Sequence, residues 1–140
     1  MERPASIVRF ELFYLGYVAI GAIGMVLNWS NYQAMPAIQD ANAAIGSWYL
    51  PVVMGLGTLI PVLLWYFVAR QASSIAKWIV TAFFVLNLIG VVTSVLTASF
   101  PNIIAAVLGI AGTAAYAVAV YLLFRPASSS WFTASAEVRA

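Results

Sequence analysis

Apart from arginines at the rims, two charged side chains stand inside otherwise apolar runs of this chain: Glu11 in "RFELFYLGY" and Lys77 in "AKWIV". A carboxylate in such a setting suits three kinds of chemistry. It can pair with a cation on another helix and fix register, it can snorkel to the surface or meet a second molecule, or it can take up and release a proton in a coupled transporter. A charge at the bilayer centre costs roughly 2.5–3.5 kcal/mol on insertion scales, and less near an interface. Glu11 lies close to the start of its run, so depth alone permits it, yet it still calls for a partner. Arg9 is two residues away and faces another side of a helix, whereas Tyr14 is spaced to donate a hydrogen bond. Lys77, which penetrates its own run to a similar depth, is the first expected ionic partner of Glu11, and Arg70 is the second.

Other chemistries are excluded by composition. The chain has no cysteine and no histidine. Disulfide exchange, thiolate-held iron–sulfur clusters and imidazole-ligated haem or metal therefore have no ligands here. No nucleophile–base pair and no metal-ligand cluster is recognisable, and Asp40 with a few scattered basic residues does not make a headgroup-cleaving site. The expectation is a protein without catalytic activity, cofactor or metal. Its six basic and four acidic residues form no clustered basic face, so nucleic acid is not an expected partner.

The elements that must position these residues follow from hydropathy. Of 140 residues, 64% are hydrophobic and 7% charged, whereas soluble domains are about a quarter charged. A water-soluble fold of this composition would expose apolar patches beyond what monomers tolerate. Four runs reach the about 20 apolar residues that span a bilayer: 7–27, 48–68, 75–96 and 101–124. A cleaved signal peptide does not fit the first run, which is too long, carries Glu11 and lacks a cleavage site.

Arg3, Arg9, Arg70, Lys77, Arg125 and Arg139 all fall on one side of this layout, and Asp40 alone lies on the other. Because Lys and Arg accumulate on the cytoplasmic side, both termini are expected there. The second and third loops are short and force antiparallel neighbours. The expected fold is all-α: one up-down-up-down four-helix transmembrane bundle over residues 1–140, with a cytoplasmic tail at 125–140. The longer first loop contains "PAIQDANAAIG", with Pro36 at a helix start, Gly46 just past its end, and Ile38, Ala41 and Ile45 on one face. This predicts a short interfacial helix.

Between helices in lipid, small residues and interhelical hydrogen bonds supply the adhesion. The fourth span carries such a seam through Asn102, Ala105, Gly109, Gly112, Tyr116 and Ala119. The second carries Pro51, Gly55, Thr58 and Val62, and the third Asn87, Gly90, Ser94 and Thr97. Pro61 removes the donor for the Gly57 carbonyl and predicts a kink. Asn87, near the middle of its span, is read first as interhelical packing and second as a cavity-lining group that meets a substrate.

The fourth span closes with "LLFRPASSSWF". Arg125 meets the headgroups, Pro126 stops the helix, and Trp131 with Phe132 return to the membrane interface as anchors. With "RPASIVRFELFYL" at the start and "AKWIV" opening the third span, this ending resembles that of small four-span bacterial inner-membrane proteins of uncharacterised activity. They share an Arg-Pro-x-Ser-x-x-Trp-Phe pattern, matched by Arg125, Pro126, Ser128, Trp131 and Phe132. The resemblance implies fold and location and supplies no catalytic residue. The leading functional expectation is a structural or accessory protein that packs against a larger membrane complex or itself, with the lipid bilayer as constant partner. The alternatives are a proton-coupled transporter or channel-like homo-oligomer using Glu11, and a lipid or pigment binder beside Gly55, Gly57 and Pro61.

Overall fold

The computed structural model describes residues 2–139. It is all-helical over them: α1 (Ala5–Leu27), α2 (Trp29–Gln33), α3 (Pro36–Ile45), α4 (Tyr49–Ala69), α5 (Ser74–Leu96), α6 (Ile103–Leu123) and α7 (Pro126–Arg139). Four of these, α1, α4, α5 and α6, are long and apolar enough to cross a membrane. They form a closed ring in which α1 lies between α4 and α6, and α5 lies diagonally opposite α1. Every neighbouring pair is antiparallel, so both chain ends and all the basic side chains of the loops share one end of the bundle. That end is called the basic end below, and the other the distal end.

The helix limits have local causes. Ser73 caps α5 by accepting from the Ala76 amide at 3.2 Å, and Asn102 caps α6 by accepting from Ala105 at 2.8 Å. Such caps satisfy amides that have no partner inside the helix. Pro36 opens α3, and Gly46 ends it at a φ of 110°, a left-handed conformation natural to glycine. The Trp48 ring also sits 2.9 Å from where a Gly46 Cβ would stand, so a larger residue would have to displace it. α3 lies against the start of α4 with Ile38 and Ala41 half-buried and Ile45 exposed. The short α2 is a turn of helix that hydropathy gave no reason to expect.

The core is lopsided. Ile7, Phe10, Tyr14, Val68, Ala76, Val80, Tyr116, Ala119 and Leu123 are buried, all in the half nearer the basic end. Glycines crowd the other half: Gly21 and Gly24 on α1, Gly55 and Gly57 on α4, Gly90 on α5, and Gly109 and Gly112 on α6. Where these face inward, side-chain volume is missing and the interior stays open.

The seam expected on the fourth span is the main packing surface. Gly112 lets α1 close onto α6, with Ile20 Cγ2 3.4 Å from a Cβ built there. Tyr116 and Ala119 continue the same contact. The other two small-residue stripes pack only in part inside this chain: Thr58 reaches Met25 Sδ on α1 at 3.8 Å and Asn87 reaches Thr113 on α6 at 2.9 Å, but a Cβ at Gly55 or Gly90 would meet nothing within 4 Å. Pro61 lies within an uninterrupted α4.

The ending after Arg125 departs from the expected tail. Pro126 stops α6 and at once opens α7, which folds back under the bundle. Trp131 and Phe132 are buried in the protein core rather than anchored at the membrane interface. Trp131 Nε1 donates to the Val68 carbonyl at 3.1 Å. The Tyr66 and Phe67 carbonyls accept from the Arg70 and Ser73 amides. The indole thus closes a helix end whose carbonyls would otherwise be short of donors. Ser128, fully buried, is hydrogen-bonded to Ser6 Oγ at 2.7 Å and donates to the Leu122 carbonyl at 2.6 Å. α7 is therefore joined to α1, α4 and α6 together, while Arg125 itself is exposed.

Candidate functional site

Glu11 sits on the α1 face turned toward the loop that follows α4. Its Oε2 accepts from Arg3 at 2.6 Å and its Oε1 from Arg70 at 3.1 Å, and the Glu11 side chain keeps 19% of its exposure. The expected pairing with Lys77 does not form. α5 is diagonal to α1, so a lysine at matching depth is still on the wrong side of the ring. Lys77 instead places its ammonium 4.2 Å from the Phe124 ring centroid and 5.1 Å from that of Phe132, a cation–π arrangement. Arg70, the second expected partner, does reach Glu11. Arg3, outside any helix, gave no periodic signal by which sequence could find it.

Tyr14 also turns away from Glu11. Its ring stacks on Phe10 at 5.2 Å and meets Tyr116 edge-on at 5.4 Å. The Tyr116 hydroxyl donates to the Val80 carbonyl at 2.7 Å. Tyr17 stacks on Tyr116 at 4.3 Å, and Phe84 closes the cluster at 5.2 Å. This aromatic floor separates the tightly packed basic end from the open interior above it.

Two cavities lie over that floor. One, of about 260 Å³, runs from Tyr17, Asn87 and Gly112 at mid-height to Asn28 and Tyr32 at the distal end. The other, of about 330 Å³, is lined by Tyr14, Tyr17 and Tyr116 and by Gly57, Pro61 and Asn87, with Ile60, Phe83 and Leu86 completing its wall. Tyr17 and Asn87 belong to both. Thr113 donates to Asn87 Oδ1 at 2.9 Å, which ties α5 to α6 at the membrane's mid-depth. The packing and the cavity-lining readings of Asn87 thus describe two ends of one amide.

Gly57 and Gly109 have the same double character. A Cβ at Gly57 would touch Met25 Cε at 3.6 Å, and one at Gly109 would press on Phe100 at 3.3 Å, while each glycine also borders a cavity. The distal end is clasped by amides: Asn102 and Asn31 both donate to Asn28 Oδ1, at 2.8 and 3.2 Å, and Asn28 donates to the Gly24 carbonyl at 3.0 Å. Only Asn102 of that trio stood out in the sequence.

Chemically, the basic end is a lock and the interior is a neutral receptacle. The carboxylate holds a guanidinium on each oxygen and so joins the chain's start and the loop after α4 to α1. Glu11→Gln should destabilise the bundle by about 1–2 kcal/mol, because charged hydrogen bonds are strong but Arg70 is 43% exposed and partly screened. A thermal melt in detergent checks this, and a melting temperature equal to that of the parent would show that the lock contributes nothing. Among the described residues no group of three or more Asp, Glu, His or Cys side chains gathers to hold a metal. The polar groups facing the cavities are amides and phenols. The chain matches no protein-family model, no curated protein and no solved structure, so the reading of its site rests on this geometry.

Proposed function

We propose that this small integral membrane protein is a non-catalytic structural or accessory component of a bacterial inner membrane. Its termini are cytoplasmic, and it associates laterally with a larger membrane complex or with copies of itself. The observation that carries the reading is the state of α5. Its buried residues are Ala76 and Val80, both in its first two turns. Beyond them Gly90 faces open space. In lipid, where apolar area alone gives helices no reason to associate, an unfilled small-residue surface is where another helix backbone can approach.

The competing transporter reading loses support because its coupling acid is engaged on both oxygens. The cytoplasmic placement of the termini rests on the six Lys and Arg residues sharing one side of the layout.

Affinity purification from native membranes in mild detergent, followed by native mass spectrometry, tests the assignment. A stoichiometric heteromeric complex or a defined homo-oligomer is expected. A protein recovered only as a monomer would refute it. In the same preparation reconstituted into vesicles, Glu11→Gln should leave any pH-dependent flux unchanged.

A further inference from the structure

We infer that the central cavity is a binding site for an uncharged, membrane-soluble molecule carrying a ring or chain carbonyl, a lipophilic quinone or ketone. This goes beyond the accessory role and does not depend on it. The first ground is the hydrogen-bonding inventory. Thr113 occupies Asn87 Oδ1, which leaves the two Nδ2 protons. Among the described residues neither Nδ2 nor the Tyr17 hydroxyl donates to a protein acceptor, and both side chains line both cavities. Neither atom is sealed inside the protein, so a molecule in the cavity can reach it; a donor that meets only hydrocarbon is costly, and a carbonyl oxygen is the group that satisfies it. Among the described residues no carboxylate or cation borders either cavity, so a charged ligand would find no counter-ion there.

The second ground is shape. The 330 Å³ cavity falls within the about 300–1,000 Å³ range of small-molecule pockets. Its floor is the cluster of Tyr14, Tyr17 and Tyr116, packed on one another, an aromatic surface against which a planar ring can lie. Ile60, Phe83 and Leu86 on α4 and α5 line it and are themselves exposed at 42%, 45% and 63%. A ligand dissolved in the bilayer therefore enters sideways, between α4 and α5, without crossing a headgroup layer.

Depth separates this class from ordinary phospholipid. Asn87 is 13 residues along α5 from Ser74, hence about 20 Å from the basic end at 1.5 Å per residue, near the middle of a hydrocarbon core about 30 Å thick. Phospholipid ester carbonyls lie at the edges of that core and cannot reach Asn87. The carbonyl must belong to a molecule able to sit at mid-bilayer.

The test uses the full chain in phospholipid nanodiscs with a decyl-substituted benzophenone, itself a diaryl ketone, as a photo-crosslinking probe. Adducts are mapped by peptide mass spectrometry, with decylbenzoquinone and decylbenzene as competitors. Labelling should concentrate around Tyr17, Ile60, Phe83 and Leu86 and be displaced by the quinone, with decylbenzene a markedly poorer competitor. Asn87→Leu should weaken quinone competition about tenfold, the equivalent of one hydrogen bond. Gly57→Leu fills the cavity against a flexible methionine end, so it should abolish the labelling while the bundle still folds. Equal competition by decylbenzene would overturn the proposal in favour of a crevice that lipid chains fill. Labelling scattered over the lipid-facing surfaces, or undiminished in Gly57→Leu, would overturn it as well.

Discussion

Trp131→Ala is expected to destabilise the bundle by about 3–5 kcal/mol, the usual cost of deleting a buried large aromatic side chain. The indole is 7% exposed and belongs to the core formed with α1, α4, α5 and α6. Its Nε1 also supplies the donor for the Val68 carbonyl in the last turn of α4. Trp131→Phe separates the two contributions: it keeps most of the packing and loses one hydrogen bond, for about 1 kcal/mol. Both variants are read by thermal melting in detergent together with protease sensitivity of α7. A Trp131→Ala protein that melts with the parent would mean that α7 is an appendage, and that the basic-end core described above is wrong.

Gly112→Leu is the second large effect. Ile20 and Tyr17 already stand in contact, 3.4 and 3.6 Å from a Cβ at this position, so the branches of a leucine crowd α1 or the adjoining cavity. Overpacking of this kind costs about 1–3 kcal/mol and sometimes more. Here it also strains the Asn28–Asn102 clasp between the same two helices. The informative comparison is Gly90→Leu, whose side chain would enter open space. The isolated chain should melt unchanged with this substitution. If the accessory assignment is right, however, Gly90→Leu should remove the partner or dissociate the homo-oligomer in native mass spectrometry. If Gly112→Leu proves harmless as well, the α1–α6 seam is not the spine of the fold.

What could be read ahead of the structure divides by physical range. A charge inside an apolar run is conspicuous in any order of residues, so Glu11 and Lys77 were visible at once. Whether they meet depends on which helix stands beside α1. Hydropathy orders spans along the chain but not around the ring, and α5 turned out to be diagonal. Trp131 and Phe132 were singled out for their aromatic character. Their burial depends on α7 turning back under the bundle, which Pro126 permits as readily as it permits an exit into water. The glycines on the second, third and fourth spans looked alike, yet Gly57, Gly109 and Gly112 each combine a packing contact with a cavity border, while Gly55 and Gly90 face open space.

The sequence by itself determined that the chain is built from four membrane-length apolar helices, that its loops make neighbours antiparallel, and that its chemistry must manage without thiol or imidazole. These properties follow from composition, span length and loop length, which are local along the chain. Tertiary structure alone decided that Arg3 shares Glu11 with Arg70, that Thr113 turns the amide of Asn87, that three tyrosines floor a cavity, and that the last helix seals the basic end. Each of these joins side chains from separate elements, and in lipid the helix faces that meet are chosen by close packing and hydrogen bonds rather than by hydrophobicity. A hydrophobic pattern therefore carries the spans and leaves their partners to the folded chain.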